Sequence, residues 1–256
     1  LRLKKILYFI QKNITKRSKV HIKETNHHWA RHSESIKKHN CSSLLEVGAG
    51  KSLEQNIFFS YYFENKLKQT TIDINNMLDM NLANEASLQL SKITKREFKG
   101  EIKNLSDLKE KYNIIYKSPY SLDNLIKNHE EFDICVSTTA LEHFSKEDLN
   151  EFLYKLKKII KKGGIISSLI DYSDHYAHTD KNISYLNYLQ YSDEEWEKYN
   201  NKYLYQNRLR HQDYRELFKS KDFLILNEFR GELLNMPDKV SDKFNKKDMD
   251  TYLSWG

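Results

Sequence analysis

The sequence predicts an α/β fold built on a doubly wound, mostly parallel sheet. Short β-branched and apolar runs alternate along the chain with segments of helical periodicity, which is the pattern of βαβ units. Gly48-Ala49-Gly50 follows the first of these runs and precedes a helical stretch, where folds of this class bind ligands. Only seven Gly and two Pro occur in 256 residues. That scarcity excludes collagen-like and turn-rich all-β classes.

Six runs are predicted to be strands because they are apolar or β-branched and end at polar or turn-forming residues. They span residues 43–47, 70–74, 113–116, 132–137, 165–170 and 223–229. The tail, Tyr252–Trp255, has the pattern of a further strand that is only beginning.

Helical periodicity fills most of the intervals between these runs. The predicted helices span residues 27–32, 52–67, 121–129, 148–161 and 213–220, with mixed helix and loop over 83–111. A further amphipathic helix is predicted over Leu3–Ile14, packed on the domain. The helix over 148–161 is expected to end at Gly163-Gly164, since Gly suits a left-handed cap.

These elements predict an N-terminal helical segment, residues 1–40, followed by one domain over residues 41–256. Residues 171–211 break the alternation of strands and helices and are rich in Tyr, His and Asp. We interpret them as an insertion that forms a lid over the carboxyl ends of the strands, where the substrate would bind. Plain packing of its aromatic residues onto the domain is the alternative.

Composition narrows the classes of partner. The net charge is +6, but 42 basic residues are interspersed with 36 acidic ones, so a solvated Lys-rich surface is expected rather than a nucleic-acid interface. No apolar run approaches the roughly 20 residues of a membrane helix. Two Cys form no disulfide framework, which fits a reducing compartment, and a cytoplasmic monomer or homodimer is expected.

The glycine loop is compatible with more than one ligand. A phosphate-binding P-loop would need Gly at the position of Leu45, and a dinucleotide fingerprint would need Gly at the position of Leu53. S-adenosylmethionine (SAM) carries no phosphate and needs only close backbone approach, which Gly permits. Asp73, near the end of the second strand, can accept ribose hydroxyls of either SAM or NAD and does not discriminate between them.

Four motifs in order carry a family resemblance. They are Leu44–Gly50, Asp73, the Phe132–Ser137 run with Ala140–His143, and Lys161–Ile166. In this order and spacing the chain resembles the class I SAM-dependent methyltransferases over about residues 40–170. The resemblance implies a Rossmann-like, seven-stranded sheet, whose last strand would be truncated here.

The resemblance also implies SAM-binding roles for individual residues. Ser118-Pro119-Tyr120 stands where many members have an acid that contacts adenine, so that contact would fall to Ser118 or to backbone. The implied set is Glu46, Gly48, Ala49 and Gly50 in the loop, Asp73 at the ribose, Ile74 at the adenine, and Ser137 and Thr138 at the methionine end.

Methyl transfer to a hydroxyl needs a base near the carboxyl ends of strands 4 and 5. His143 follows strand 4, and His175 follows strand 5 beside Asp174, whose carboxylate would fix the imidazole tautomer. Some relatives, such as small-RNA O-methyltransferases, bind a metal through E-x-x-E-H and a later His. Thr139 replaces the first Glu of that set, so no metal ligands are assigned.

Three residues are predicted to bind the acceptor. His178 lies in the same segment as His175, and Arg208 and Arg210 offer bidentate recognition of an anionic group, with surface salt bridges as the alternative. The segments Asp174–His178 and Asn207–His211 resemble a bacterial subgroup of methyltransferases associated with surface-polysaccharide modification.

The resulting prediction is a SAM-dependent O-methyltransferase that acts on a small polar acceptor. A nucleotide-linked sugar, a glycan or a phosphoryl decoration of a surface polysaccharide would qualify. The alternatives are an RNA methyltransferase, whose binding would weaken steeply with salt, an NAD-binding oxidoreductase, and a non-catalytic SAM-fold protein.

Overall fold

The chain divides into two compact units, Leu1–Ser121 and Leu122–Gly256. The computed structural model describes residues 20–22, 27–200, 205–231, 237, 239–244 and 253–255. The amphipathic helix predicted over Leu3–Ile14 falls outside the described residues. The proposed organisation into residues 1–40 and 41–256 stays a prediction. Within the described part of the chain, no helix combines the length and apolarity needed to cross a membrane.

Among its described residues, the first unit contains four helices and three parallel strands in the order β3-β2-β1. Its elements are α1 His27–Lys38, β1 Ser43–Val47, α2 Glu54–Tyr62, β2 Lys68–Ile72, α3 Met80–Ile93, α4 Leu105–Tyr112 and β3 Ile114–Lys117. In the register, Val47 lies opposite Ile72, and Ile72 lies opposite Lys117. The three strands therefore end side by side at one edge of the unit.

Burial explains why these segments hold together. Leu44 and Leu45 of β1 are fully buried, and so are Ile57 and Phe59 of α2. Asp79 precedes helix α3 and caps it, because its carboxylate accepts hydrogen bonds from two backbone amides of the first turn.

The described part of the second unit contains four helices and four strands in the order β4-β5-β7-β6. Its helices and strands are α5 Leu122–Lys127, β4 Phe132–Thr138, α6 Lys146–Leu156, β5 Ile160–Asp171, α7 Asp193–Glu197, α8 His211–Ser220, β6 Phe229–Arg230 and β7 Leu253–Trp255. Short 3₁₀ turns occupy Leu141–His143, His175–His178 and Asn187–Gln190. Strands β4 and β5 are parallel, whereas β7 is antiparallel to both β5 and β6.

The predicted α/β class with a mostly parallel, Rossmann-like arrangement is confirmed. Five of the seven described strands pair in parallel, and the bounds of β1 are those expected from the sequence. The beginning strand expected near the C-terminus is present as the three residues of β7.

The helix predicted over 148–161 ends earlier, at Leu156, and β5 already begins at Ile160. Phe132 and Ile134 of β4 lie opposite Ile160 and Ile165, so the residues between these two β5 positions bulge out of the ladder. Gly163 has a left-handed φ of 80° in this bulge. At Gly164, a Cβ would lie 2.8 Å from the carbonyl oxygen of Asp133, so only Gly fits.

The strand predicted over 223–229 is wrong except at its end. Only Phe229 and Arg230 form β6, paired with β7. Leu224 and Leu226 are 86% and 65% exposed. Among the described residues, none covers a face of this apolar segment. The alternation of its side chains therefore does not lead to a strand.

The predicted insertion, residues 171–211, forms a small apolar core of its own. Its buried members are Leu186, Tyr188, Leu189 and Trp196, joined by Phe244. Tyr191 and Tyr199 pack beside Trp196, with ring centroids about 6.1 Å from it. These aromatic residues pack within the second unit, and the role of the insertion as a lid stays a prediction.

Candidate functional site

The glycine loop lies at the end of β1, directly beside the end of β2. Gly48 and Gly50 both have left-handed φ angles, 82° and 72°, which Gly adopts without a Cβ penalty. The backbone N–H of Gly48 donates to the carbonyl oxygen of Ile72 across 3.4 Å. A Cβ built on Gly50 would meet no atom within 4 Å, so the outer side of the loop is open. Ala49 lies between the two glycines and is half-buried.

Glu46 is buried beneath this loop, and both of its carboxylate oxygens are occupied. Gln55 donates to Oε1 at 2.8 Å, and Asn56 donates to Oε2 at 2.6 Å. Burial raises the pKa of Glu46 to about 8; the hydrogen bond from Asn56 opposes the shift, and the charge of Asp73 adds to it. With its oxygens engaged, Glu46 anchors the loop to α2, and its predicted contact with a cofactor stays a prediction.

Asp73 follows β2 and presents a free acceptor atom. Its Oδ2 is buried without a hydrogen-bond partner, as is the Oγ of Ser118 at the end of β3. Burial raises the pKa of Asp73, and a hydrogen bond from the Tyr116 side chain opposes that shift. The next residue, Ile74, is 75% exposed. An unpaired carboxylate oxygen, an unpaired hydroxyl and an exposed aliphatic side chain thus lie on neighbouring strand ends.

The two predicted residues of β4 lie in the second unit. Ser137 and Thr138 end the strand, and Thr138 is opposite Leu169 of β5 in the register. The Oγ of Ser137 is buried without a hydrogen-bond partner. No observation assigns a ligand to either residue, so their role at a cofactor stays a prediction.

Three histidines and a carboxylate cluster at the ends of β4 and β5. The Oδ2 of Asp171 lies 3.2 Å from Nε2 of His178 and 3.7 Å from Nε2 of His175. The ring of His175 lies 5.0 Å from that of His143 and 5.6 Å from that of His178, between centroids. Burial lowers the pKa of His175 to about 4, although the charge of Asp171 opposes the shift.

His143 has a defined tautomer. Its Nδ1 lies 2.8 Å from the carbonyl oxygen of Tyr205, and a carbonyl only accepts hydrogen bonds. In the neutral imidazole, Nδ1 therefore carries the proton and Nε2 keeps a lone pair. The exposed ring can meet a solute, and the neighbouring segment is held by Asn207, whose N–H donates to the carbonyl oxygen of Glu142 at 2.8 Å.

Glu142 is a buried member of this region whose carboxylate has no partner. It is 1% exposed, and neither carboxylate oxygen accepts a hydrogen bond of good geometry. Burial raises its pKa well above the usual range, and the charge of Asp171 adds to that shift; the nearby amides of Glu142 and Asp171 oppose it. One ligand atom each of Glu142, His143 and His175 lie within 4.8 Å of one another.

The carboxylate that pairs with His175 is not Asp174, as the sequence suggested, but Asp171. Asp174 is fully buried and caps the following 3₁₀ turn, with Oδ1 accepting from the N–H of Tyr176 at 2.9 Å. Its Oδ2 accepts from Asn187 at 3.0 Å. Both oxygens of Asp174 therefore bind groups other than His175. In addition, the side chains of adjacent residues in a turn, such as Asp174 and His175, do not converge.

The predicted role of Arg208 in acceptor binding finds no support in its contacts. Its side chain is 1% exposed, and Nη2 lies 2.6 Å from Oδ1 of Asp193. Its Nη1 donates to the carbonyl oxygens of Tyr188 and Tyr191. The guanidinium also lies over the ring of Trp196, 5.5 Å from its centroid.

Arg210 is similarly enclosed. It is 2% exposed, its Nη1 donates to the carbonyl oxygen of Tyr172 at 2.8 Å, and it also contacts the hydroxyl of Tyr188. Arg208 and Arg210 thus tie the insertion together. Planar guanidinium groups suit buried carbonyls as well as they suit anionic ligands, so the sequence alone could not separate the two roles.

The sequence interpretation missed Asp171 and Glu142 as site residues. Asp171 is the last residue of β5, and the spacing Asp171-x-x-x-His175-x-x-His178 was the available signal. Glu142 had a weaker signal, since it appeared in sequence only as part of the Ala140–His143 motif and of a metal-ligand set that lacks its first Glu. His178, predicted to bind the acceptor, joins the histidine cluster instead of standing apart from it.

Comparisons with known proteins find similarity at the level of structure only. The sequence matches no protein-family model and no curated protein. It is similar to a solved S-adenosylmethionine-dependent methyltransferase from Clostridium acetobutylicum, with 14% identity, a TM-score of 0.46, and coverage of 99% of this chain and 98% of that one.

Two further solved structures show a comparable degree of similarity. TehB from Haemophilus influenzae is 13% identical with a TM-score of 0.48, covering 96% of this chain and 64% of that one. Mycolic acid cyclopropane synthase CmaA1, solved with SAH and CTAB, is 14% identical with a TM-score of 0.47, covering 74% and 57%. At these identities and TM-scores, the similarity defines neither the reaction nor the substrate of this chain.

Proposed function

We propose that this protein is a SAM-dependent methyltransferase that transfers a methyl group to an oxygen of a small polar acceptor. The observation that carries the proposal is the hydrogen bond from Gly48 to Ile72. It joins an open, left-handed glycine loop to the strand end that precedes Asp73. A ligand that lies on the backbone of this loop therefore meets a carboxylate with an unpaired oxygen.

The residues around this edge fit SAM. Asp73 would accept hydrogen bonds from the ribose hydroxyls, and Ser118 would contact the adenine amine through its unpaired Oγ. Ile74 offers exposed aliphatic surface for an adenine ring. The loop lacks the length and the third glycine that pyrophosphate binding uses, which favours a cofactor without phosphate over NAD. When bound, SAM supplies an electrophilic methyl group on a sulfonium sulfur.

The second unit contains histidines with the properties of a proton acceptor. An alcohol reacts well with an electrophile only when its proton is removed as the bond forms. His143 is suited to that role, because its Nδ1–H is fixed on the Tyr205 carbonyl and its Nε2 lone pair is free to accept a proton. His175 is the second candidate, but burial weakens it as a base.

For the acceptor, we propose a hydroxyl-bearing polar compound such as a nucleotide-linked sugar, a glycan or a phosphoryl decoration of a surface polysaccharide. This class rests on the need for a base and on the resemblance of segments 174–178 and 207–211 to polysaccharide-modifying methyltransferases. Residues that hold its anionic group are not assigned, since Arg208 and Arg210 are committed to structure.

Two measurements test the proposal together. In calorimetric titrations, S-adenosylhomocysteine should bind with one site per chain and NAD⁺ should not bind. Incubation with methyl-labelled SAM and a panel of nucleotide-linked sugars should then transfer label to a sugar oxygen. Binding of NAD⁺ in preference to S-adenosylhomocysteine would reject the cofactor, and transfer to RNA but to no sugar would reject the acceptor class.

A further inference from the structure

We propose that Asp171, His175 and His178 bind one divalent first-row transition-metal ion. The three residues lie at the carboxyl end of β5 and in the 3₁₀ turn that follows it. They provide one carboxylate oxygen and two imidazole nitrogens, with one ligand atom from each residue within 4.8 Å of the other two.

The distances between ligand atoms are those of a nearly formed coordination site. Zinc bonds to N and O ligands at about 2.0–2.2 Å, so two ligands at tetrahedral or octahedral angles lie roughly 3.0–3.5 Å apart. The Oδ2 of Asp171 lies 3.2 Å from Nε2 of His178 and 3.7 Å from Nε2 of His175. Both distances from Asp171 are close to this range, and a ring nitrogen of each histidine lies within 4.8 Å of the other, so a small closure of the two imidazoles would complete the site.

The carboxylate of Asp171 is already oriented for this role. The backbone N–H of Ser173 donates to Oδ1 at 2.8 Å, which turns Oδ2 toward the two histidines. Hydrogen bonds of this kind to the remote oxygen of a ligating carboxylate are typical of metal sites, where they fix the ligand's orientation.

A second observation points to a missing cation. Glu142 is almost fully buried, has no well-formed hydrogen bond, and has a carboxylate oxygen within 4.8 Å of a ring nitrogen of His175. An unpaired buried carboxylate is costly. A divalent cation at His175 would balance both carboxylates.

The donor set indicates which ion would bind. Two imidazoles and one carboxylate favour ions such as Zn²⁺, Co²⁺ or Mn²⁺ over Mg²⁺, which prefers oxygen ligands and water. With three protein ligands, coordination positions remain for solvent or for an oxygen of another molecule. His178 is exposed, so an ion has a path to the site.

Metal binding does not rest on the proposed function. Its consequence does: an acceptor hydroxyl bound to the ion would lose its proton more readily, which would assist transfer to oxygen. Binding of Zn²⁺ without binding of SAM would support the metal site and contradict the proposed methyltransferase function. The failure of one proposal is therefore distinguishable from the failure of the other.

The test is a calorimetric titration of Zn²⁺ into the untagged, chelator-stripped full chain. Metal content per chain is then measured after dialysis. We expect one site per chain in the wild type, and binding at least about 100-fold weaker in His178→Gln and Asp171→Asn. His39→Gln, a change at an exposed histidine of the first unit, is the matched control and should bind like the wild type.

Circular dichroism and thermal unfolding verify that each variant is folded, and His178 is exposed enough for its replacement to be tolerated. Three results would overturn the inference. The first is the absence of stoichiometric Zn²⁺ binding by the wild type. The second is Zn²⁺ binding by both ligand variants that is as tight as that of the wild type, and the third is a preference of the wild type for Mg²⁺ over Zn²⁺.

Discussion

The backbone N–H of Gly48 donates a hydrogen bond to the carbonyl oxygen of Ile72, across 3.4 Å. This contact joins the glycine loop after β1 to the residue that precedes Asp73 after β2. Because parallel strands end at the same edge, a backbone surface and a carboxylate become parts of one binding edge.

The pH dependence of stability should carry the signature of Glu46. Its pKa in the folded chain is raised to about 8 by burial, from 4.5. Between these values the unfolded chain has released the proton and the folded chain retains it, so stability falls as pH rises, by on the order of 1 kcal/mol per pH unit.

The variant Glu46→Gln removes that titration. Urea unfolding from pH 5 to pH 9 should show the wild type losing free energy of unfolding relative to Glu46→Gln up to about pH 8, and no further loss above it. A difference between the two proteins that is constant with pH would show that Glu46 ionises normally in the folded chain.

His143→Gln should separate chemistry from cofactor binding. Gln can still donate to the Tyr205 carbonyl, which His143 contacts at 2.8 Å, but it cannot accept the acceptor's proton. We expect kcat to fall by about 10²–10⁴-fold with the SAM dissociation constant unchanged. The exposed His129→Asn serves as control. Wild-type turnover in His143→Gln would exclude His143 as the base.

Arg208→Lys should destabilise the second unit. An ammonium cannot reproduce the planar contacts of Arg208 with two carbonyls and with Asp193. Urea unfolding should show a loss of about 2–3 kcal/mol. Arg96→Lys, at an ion pair that is half exposed, should change stability by less than about 0.5 kcal/mol. If Arg208→Lys is as stable as Arg96→Lys and has a raised KM for the acceptor, Arg208 binds the acceptor and does not stabilise the unit.

Gly164→Ala should cost more stability than Gly163→Ala, although the two glycines are neighbours. The new Cβ at position 164 would lie 2.7 Å from Cγ2 of Ile160 and 2.8 Å from the carbonyl oxygen of Asp133. Overpacking of this kind costs about 2–3 kcal/mol. At position 163 there is space, and only the left-handed φ of 80° is unfavourable, at about 1 kcal/mol. The reverse order in chemical denaturation would contradict the bulge geometry.

The parts of the fold that local pattern determines were predictable. β1 has the expected bounds, Ser43–Val47, because a buried parallel strand is a continuous apolar run followed by a turn. The glycine loop was equally readable, since glycine is scarce in this chain. The strand over 223–229 was wrong because periodicity shows which residues share a face and not whether a partner covers it.

Side-chain pairing at the site was less predictable. His175 was assigned to its neighbour Asp174, but the turn aims Asp174 at backbone amides and brings Asp171 to the imidazoles. Arg208 was assigned to a ligand because an exposed and a buried guanidinium look alike in sequence. The first depends on the geometry of a local turn, and the second depends on contacts of Arg208 with residues 15–20 positions away, neither of which residue types alone reveal.

The most direct test of the central claim is a calorimetric titration of SAM into the wild type and into Asp73→Asn, with Asp123→Asn, a change at an exposed ion pair, as control. Loss of charged hydrogen bonds to the ribose should weaken binding by about 10–100-fold in Asp73→Asn, with one site per chain and unchanged affinity in the other two proteins. Equal affinity of Asp73→Asn and the wild type, or the absence of SAM binding by the wild type, would contradict a cofactor site at the glycine loop and Asp73.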